Sequence, residues 1–362
     1  MAGRARGESP VLESLVAPIV QAPMAGGPST PALSAAVARG GGLGFLAAGY
    51  LTVERLGSDI ATLRVDVDRF GVNVFLGAGP ADPAIVAAYA ERLQIECERA
   101  GVELGDPRFD DDGFTEKIEL LCSDPVAVVS FTFGIPPESV IDRLQSVGSE
   151  VWLTVTSPEE AGEAATAGAD ALVVQGVEAG GHRGVFVDDE SRSELTLLAA
   201  LQLVREETDL PLVAAGSIMT GAGLAAVLAG GARAGQVGTA YLCTPEAGTS
   251  EPQRGATGSR APTVLTRAFS GRTARGIRNR LADEYGRFAP AAYPEVHHLT
   301  SPLRAHGRAV GDPDLINLWA GQAHRLAGGL AAEELTRRLA EEAADAIARC
   351  SARLARGRVG PH

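Results

Sequence analysis

Eight short apolar runs, each followed by a turn marked with glycine, proline or polar residues, constrain this chain more than any other feature. They span 19–22, 43–47, 70–75, 126–131, 151–155, 171–175, 212–215 and 234–237. Several are β-branched, and few alternate polar with apolar residues, as expected of parallel strands buried on both faces. Helical stretches fall between them at 30–39, 137–147, 157–167, 195–206 and 221–229. Ser29-Thr30-Pro31 places a capping hydroxyl before a first-turn proline, and Ser157-Pro158-Glu159-Glu160 adds acids to the same signal. Eight strands alternating with helices predict a (β/α)8 barrel over 11–75 and 121–240, with an open doubly wound sheet as the structural rival.

Two stretches break the rhythm. Residues 76–120 make a long excursion after the third strand, with a helix expected at 81–99, and 241–328 follow the eighth strand as loops and prolines. Both are expected to form a capping region over the barrel's C-terminal mouth, where such barrels carry their sites. Residues 329–362 are expected to be a charged amphipathic helix and tail, packed on the barrel exterior.

Composition removes several functional classes. Of 362 residues, 45 % are hydrophobic and 21 % charged, enough apolar material for a sizeable core. A net charge of −13 with no basic run argues against nucleic acid or an anionic membrane as partner. No uninterrupted apolar stretch is long enough to span a bilayer, and the polar N-terminus does not read as a secretion signal. Cys97, Cys122, Cys243 and Cys350 are scattered with no CxxC pair, so neither disulfides nor a metal site are expected, and a cytoplasmic location is. Lys117 is the one lysine, hence the one candidate for Schiff-base chemistry. Monomer and homodimer are both compatible with the sequence.

The residues that packing would not select fall at strand ends. Ala22, Pro23 and Met24 lead into Gly26-Gly27 after strand one, where small residues admit a ligand close to the backbone. Asn73 lies inside an apolar strand, where a carboxamide needs partners and can serve the polar edge of a heterocycle. Strand six ends in Gln175, and Gly176 to Gly184 then present Gly180, Gly181 and His182 at the barrel mouth. An imidazole there suits proton abstraction or contact with an anion; Glu178 and Arg183 beside it are read as structural. Gly216-Ser217 with Gly221, and Gln236-Val237-Gly238-Thr239, follow strands seven and eight, where loops and a helix N-terminus commonly hold phosphate. His297-His298 resembles a metal pair, but no carboxylate or cysteine stands at ligand spacing. Neither a dinucleotide fingerprint, a P-loop nor a nucleophile elbow is present.

Taken in order, these motifs resemble the nitronate monooxygenase family. The likeness runs through Pro18–Gly27, Ser29-Thr30-Pro31, Gly41-Gly42-Leu43-Gly44, Val72–Phe75, Glu178–His182, Gln236–Thr239 and Leu318-Trp319-Ala320-Gly321-Gln322, covering about residues 11–328. It implies a TIM barrel binding FMN and oxidising alkyl nitronates with dioxygen (O2) to a carbonyl compound and nitrite. By the family pattern, His182 is catalytic, while Ala22–Met24, Asn73, Gln175, Gly180, Gly221 and Gln236–Thr239 contact FMN. The chain departs from that pattern with Ser217 where a second glycine is usual, and with histidine where asparagine is often found in 293–300, beside the substrate pocket. A flavin-dependent enoyl-ACP reductase using NAD(P)H shares the Glu-Ala-Gly-Gly-His stretch but has a different opening segment.

Overall fold

The structure is a computed structural model that describes residues 8–77, 79–189 and 193–357. Most of the N-terminal stretch read as a non-leader, and the last five residues of the tail, lie outside that range. The strands are β1 (Ile19–Gln21), β2 (Gly44–Ala47), β3 (Phe70–Phe75), β4 (Val128–Thr132), β5 (Glu150–Val155), β6 (Ala171–Gln175), β7 (Gly181–His182), β8 (Leu212–Ala215), β9 (Ala234–Val237), β10 (Thr263–Thr266) and β11 (Ala274–Ile277).

Eight of them pair in parallel in the order β1-β9-β8-β6-β5-β4-β3-β2. The ends of that sheet meet at Leu43, whose N–H donates to Ile19 O at 2.9 Å and whose oxygen accepts from Gln21 N–H at 2.8 Å. The result is the (β/α)8 barrel read from the eight runs. Gln21, fully buried, fastens the closing strands. Its amide nitrogen donates to Phe45 O at 2.9 Å, and its oxygen accepts from Phe45 N–H and from the Ser34 hydroxyl.

Inside the barrel, Phe45, Val128, Trp152, Val173 and Val213 pack with Val11 and Leu12 of the short helix Pro10–Glu13, which plugs the lower end. Glu150 is buried there. It accepts from Ser9 Oγ at 2.6 Å, Val11 N–H at 3.0 Å and Trp152 Nε1–H at 2.9 Å. A carboxylate removed from water is tolerable when its lone pairs are filled in this way.

The outer ring of helices is completed by Ala332–Gly357, the charged amphipathic tail, which lies against both Gly221–Ala229 and Pro31–Arg39. Its approach requires a glycine at position 40, where a Cβ would sit 2.6 Å from Thr336 Cβ. Phe114–Ser123, which starts within the 76–120 excursion, also joins this ring, against Val53–Arg64 and Glu138–Ser146.

Over the mouth, Pro83–Ala100, Arg280–Tyr285 and Glu295–Val310 share a second core that includes Tyr89, Leu93, Phe269, Leu281, Val296 and Leu303. The apolar faces of two distant excursions thus bury each other. β10, β11 and β7 form a small antiparallel sheet, in which His182 pairs with Ala274. The glycine-rich segment after β6 is therefore anchored as a strand, not left as a free loop. Two residues carry no periodic signal, and their partner strand comes far downstream.

Candidate active site

A cavity of about 420 Å³ lies between the barrel mouth and the cap, within the size range of small-molecule and cofactor sites. Ala22, Pro23, Met24, Asn73, Gln175 and Gly180 border it, as do Gly181, His182, Gly216, Ser217, Gln236, Gly238 and Thr239. Two residues singled out in the sequence do not. Val237 is buried in the barrel wall and its oxygen accepts from Ala22 N–H at 2.8 Å. Gly221 opens the helix Gly221–Ala229, and its N–H donates to Glu342 of the C-terminal helix at 3.2 Å.

Asn73 is anchored by its amide nitrogen, which donates to Ser130 Oγ at 2.9 Å and Thr132 Oγ1 at 3.0 Å. Gln175 clasps its own loop. Its nitrogen donates to His182 O, and its oxygen accepts from Arg183 and from Gly184 N–H. Arg183 is buried and also donates to Gly176 O. Glu178 accepts from Leu197 N–H and so caps the helix Leu197–Glu207. Both flanking charges serve the loop.

The His182 ring is held by Ser270 Oγ, 2.8 Å from Nε2. Phe75, Phe133, Tyr293 and Trp319 surround it edge-on, with centroids between 5.5 and 6.4 Å away. Burial, with Arg272 and Arg304 adding repulsion, pulls its pKa down to about 3, so the imidazole is neutral at ordinary pH. Arg272 lies over the Phe133 ring at 3.9 Å and donates to Val185 O. Arg304, only 5 % exposed, donates to His297 O at 2.7 Å and to Thr300 Oγ1 at 3.0 Å. No carboxylate lies within ion-pair reach of Arg304 among the described residues. A buried cation without a counter-ion makes this part of the cavity receptive to an anion.

The opposite part is also rich in donors. Among the described residues, the amides of Gly216, Ser217, Gly238 and Thr239 find no protein acceptor, and the Gln236 side chain makes no hydrogen bond. Thr239 Oγ1 accepts from Gly321 N–H at 3.0 Å and keeps its own hydrogen to donate. Converging free amides at two adjacent strand ends fit a phosphate-bearing ligand. The segment 318–322 ties the two halves together. Trp319 meets His182, while Gln322 N–H donates to Glu178 O at 3.1 Å.

Several site residues escaped the sequence reading: Tyr50, Phe133, Ser270, Arg272 and Arg304. One stereochemical signal unites some of them. Tyr50, Phe133 and Ser217 are non-glycine residues with φ of 68, 86 and 48°, and all three border the cavity. Such backbone costs of order 1–3 kcal/mol each and clusters at functional sites. Lys117, by contrast, lies beneath the site, paired with Asp112 at 2.8 Å and donating to Ala48 O. His297 stacks on Tyr50, and His298 pairs with Asp110 at 2.7 Å.

Comparisons with known proteins identify the family. The family model described as nitronate monooxygenase matches residues 9–342. A nitronate monooxygenase of Pseudomonas aeruginosa is 40 % identical over 346 residues, covering 90 % of this chain and 95 % of the relative. A crystal structure of nitroalkane oxidase from Streptomyces ansochromogenes superposes with a TM-score of 0.92 at 48 % identity, over 94 % of this chain and all of that one. The structure of FabK from Thermotoga maritima, at 24 % identity and TM-score 0.74, covers 94 % of this chain and 97 % of its own, and shares the fold. This chain belongs to the nitronate monooxygenase family and is an oxidoreductase.

Proposed function

We propose that the protein binds FMN and oxidises alkyl nitronates with dioxygen, releasing a carbonyl compound and nitrite. The observation that carries this reading is His182 in its aromatic enclosure near Arg304, a buried cation that has no carboxylate partner among the described residues. FMN, when bound, supplies the electron-accepting ring that this chain's own side chains lack. The free amides of Gly216, Ser217, Gly238 and Thr239 suit its phosphate. Asn73, Gln175 and Gln236 suit its polar edge, and Ala22–Met24, Gly180 and Gly181 allow close backbone approach. Val237 and Gly221 act by placing these loops.

The proton chemistry follows from Ser270. Its hydroxyl can donate to Arg272 O, 3.3 Å away, while accepting Nε2–H of His182. That tautomer leaves the lone pair on Nδ1 for a substrate proton. An imidazole with a pKa of about 3 gains little by taking a proton from carbon. A nitronate that arrives already deprotonated is therefore the better substrate. Its charge is neutralised by Arg304, and the four rings keep water away. The free thiols at Cys97, Cys122, Cys243 and Cys350 accord with a cytoplasmic enzyme.

The test is an absorbance spectrum of the purified protein, then oxygen uptake and nitrite release with ethyl nitronate. A flavin spectrum with stoichiometric nitrite is expected. Colourless protein, or flavin bleached by NADPH under anaerobic conditions with no nitrite from any nitronate, would overturn the reading.

A further inference from the structure

A second chamber of about 470 Å³ adjoins the first, and Tyr50, Phe75, His297 and Ser301 border both. Two of these four, Tyr50 and His297, stand in the wall between them as a stacked pair. The rings of Tyr50 and His297 lie 4.0 Å apart and 6° from parallel, and Tyr293 Oη donates to Tyr50 Oη at 3.2 Å.

Each half of the wall is braced from behind. Tyr50, with φ of 68°, donates its N–H to Asp112 at 2.9 Å, and Asp112 is itself held by Lys117. His297 is fixed by Arg304, which approaches both its Nδ1 and its carbonyl oxygen. A strained residue, the sole lysine and a buried arginine all converge on this one contact.

The chamber beyond has a mixed lining. Leu51, Leu76 and Pro294 supply apolar surface, and Arg108, Asp110, Asp111 and Asp112 supply charge, with Asp112 directly behind the wall. Asp110 is paired with His298 and Arg108, so the lining offers an anion no unpaired cation there. An anionic head is thus favoured beside Arg304, whereas three carboxylates repel it from the second chamber, whose Leu51, Leu76 and Pro294 offer contact only to an uncharged alkyl tail.

We propose that the Tyr50–His297 stack is the chain-length determinant of the enzyme, closing the first chamber around short substrates and shutting alkyl tails out of the second. This rests on the nitronate reading above for its substrate and on the two chambers for its geometry.

The test uses the flavin-loaded enzyme with unbranched nitronates from ethyl to octyl. His297→Ala joins the chambers, and the octyl-to-ethyl ratio of kcat/KM is expected to rise about tenfold or more, since each methylene moved from water to an apolar wall is worth roughly fourfold. Adding Leu51→Trp to that variant fills the second chamber and is expected to cancel the gain. Tyr50→Ala, which removes the other half of the wall, provides the same measurement if His297→Ala fails to fold. A folded wall variant with an unchanged ratio, or a gain that survives Leu51→Trp, would overturn the proposal. Calorimetric titration with acetate through octanoate on the same variants separates the two readings. If the wild type turns over no nitronate while octanoate binding tightens on opening the wall and weakens on filling the chamber, the partition stands and the substrate assignment fails.

Discussion

The two ends of the barrel each bury a charge, and they treat it in opposite ways. At the lower end Glu150 accepts from three donors, and two of its partners, Ser9 and Val11, belong to the plug that closes the barrel. At the upper end Arg304 donates to neutral oxygens and an imidazole and has no anionic partner among the described residues. A satisfied buried charge holds structure together, and an unneutralised one waits for a ligand. The same contrast separates Gln21, whose carboxamide is fully engaged at the strand closure, from Gln236, whose carboxamide at the mouth makes no hydrogen bond among the described residues.

The sharpest way to break this comparison is at His182. His182→Asn should lower turnover of neutral nitroalkanes by about a hundredfold, the low end for a positioned base because burial depresses its pKa, and affect preformed nitronates far less. Equal losses on both would show that the imidazole does not move a proton. Arg304→Met should come next, raising KM for ethyl nitronate by roughly tenfold to a hundredfold, with a smaller change in kcat, because a charge-assisted contact is worth about 1.5–3 kcal/mol. An unchanged KM would mean that the buried cation has no part in binding.

Glu150→Ala should do the reverse. Three buried donors lose their acceptor, so unfolding free energy should drop by about 3 kcal/mol or more, read in denaturant melts. The kcat/KM of the folded fraction should stay as it was. Lost activity with unaltered stability would erase the distinction between the two ends.

A smaller effect is expected with pH. The folded-state pKa values of His182 and His297 lie below the ordinary value, both chiefly through burial. Below about pH 6.5 the unfolded chain binds protons that the folded one does not. Their contribution to stability is thus complete above that pH and is lost as pH falls toward 3. The apparent Tm should decline by a few degrees between pH 7 and 5, and His182→Gln should shrink that decline; an identical decline in the variant would contradict the assigned environment. Ser217→Gly should change least, within about 1 kcal/mol, because relief of the left-handed backbone offsets loss of the Ser217 hydroxyl's 2.8 Å bond to Glu178 O. A larger loss would give that hydroxyl a role in holding the ligand.

The eight strands were legible because burial on both faces leaves its mark within a few consecutive residues, as in Phe70–Phe75 and Ala171–Gln175. The site's glycines and His182 were legible because they interrupt those runs at their ends. Phe133, Ser270, Arg272 and Arg304 were not, since each reads locally as an ordinary loop or helix residue. The C-terminal helix announced its amphipathic face, but only packing showed that face covering the gap between Gly221–Ala229 and Pro31–Arg39. The sequence by itself therefore determined the barrel, its mouth and the histidine placed there. Tertiary structure alone decided the aromatic enclosure of that histidine and the wall between the two chambers. Periodicity and turns are properties of neighbouring residues, whereas desolvation and ring stacking depend on groups brought together from opposite ends of the chain.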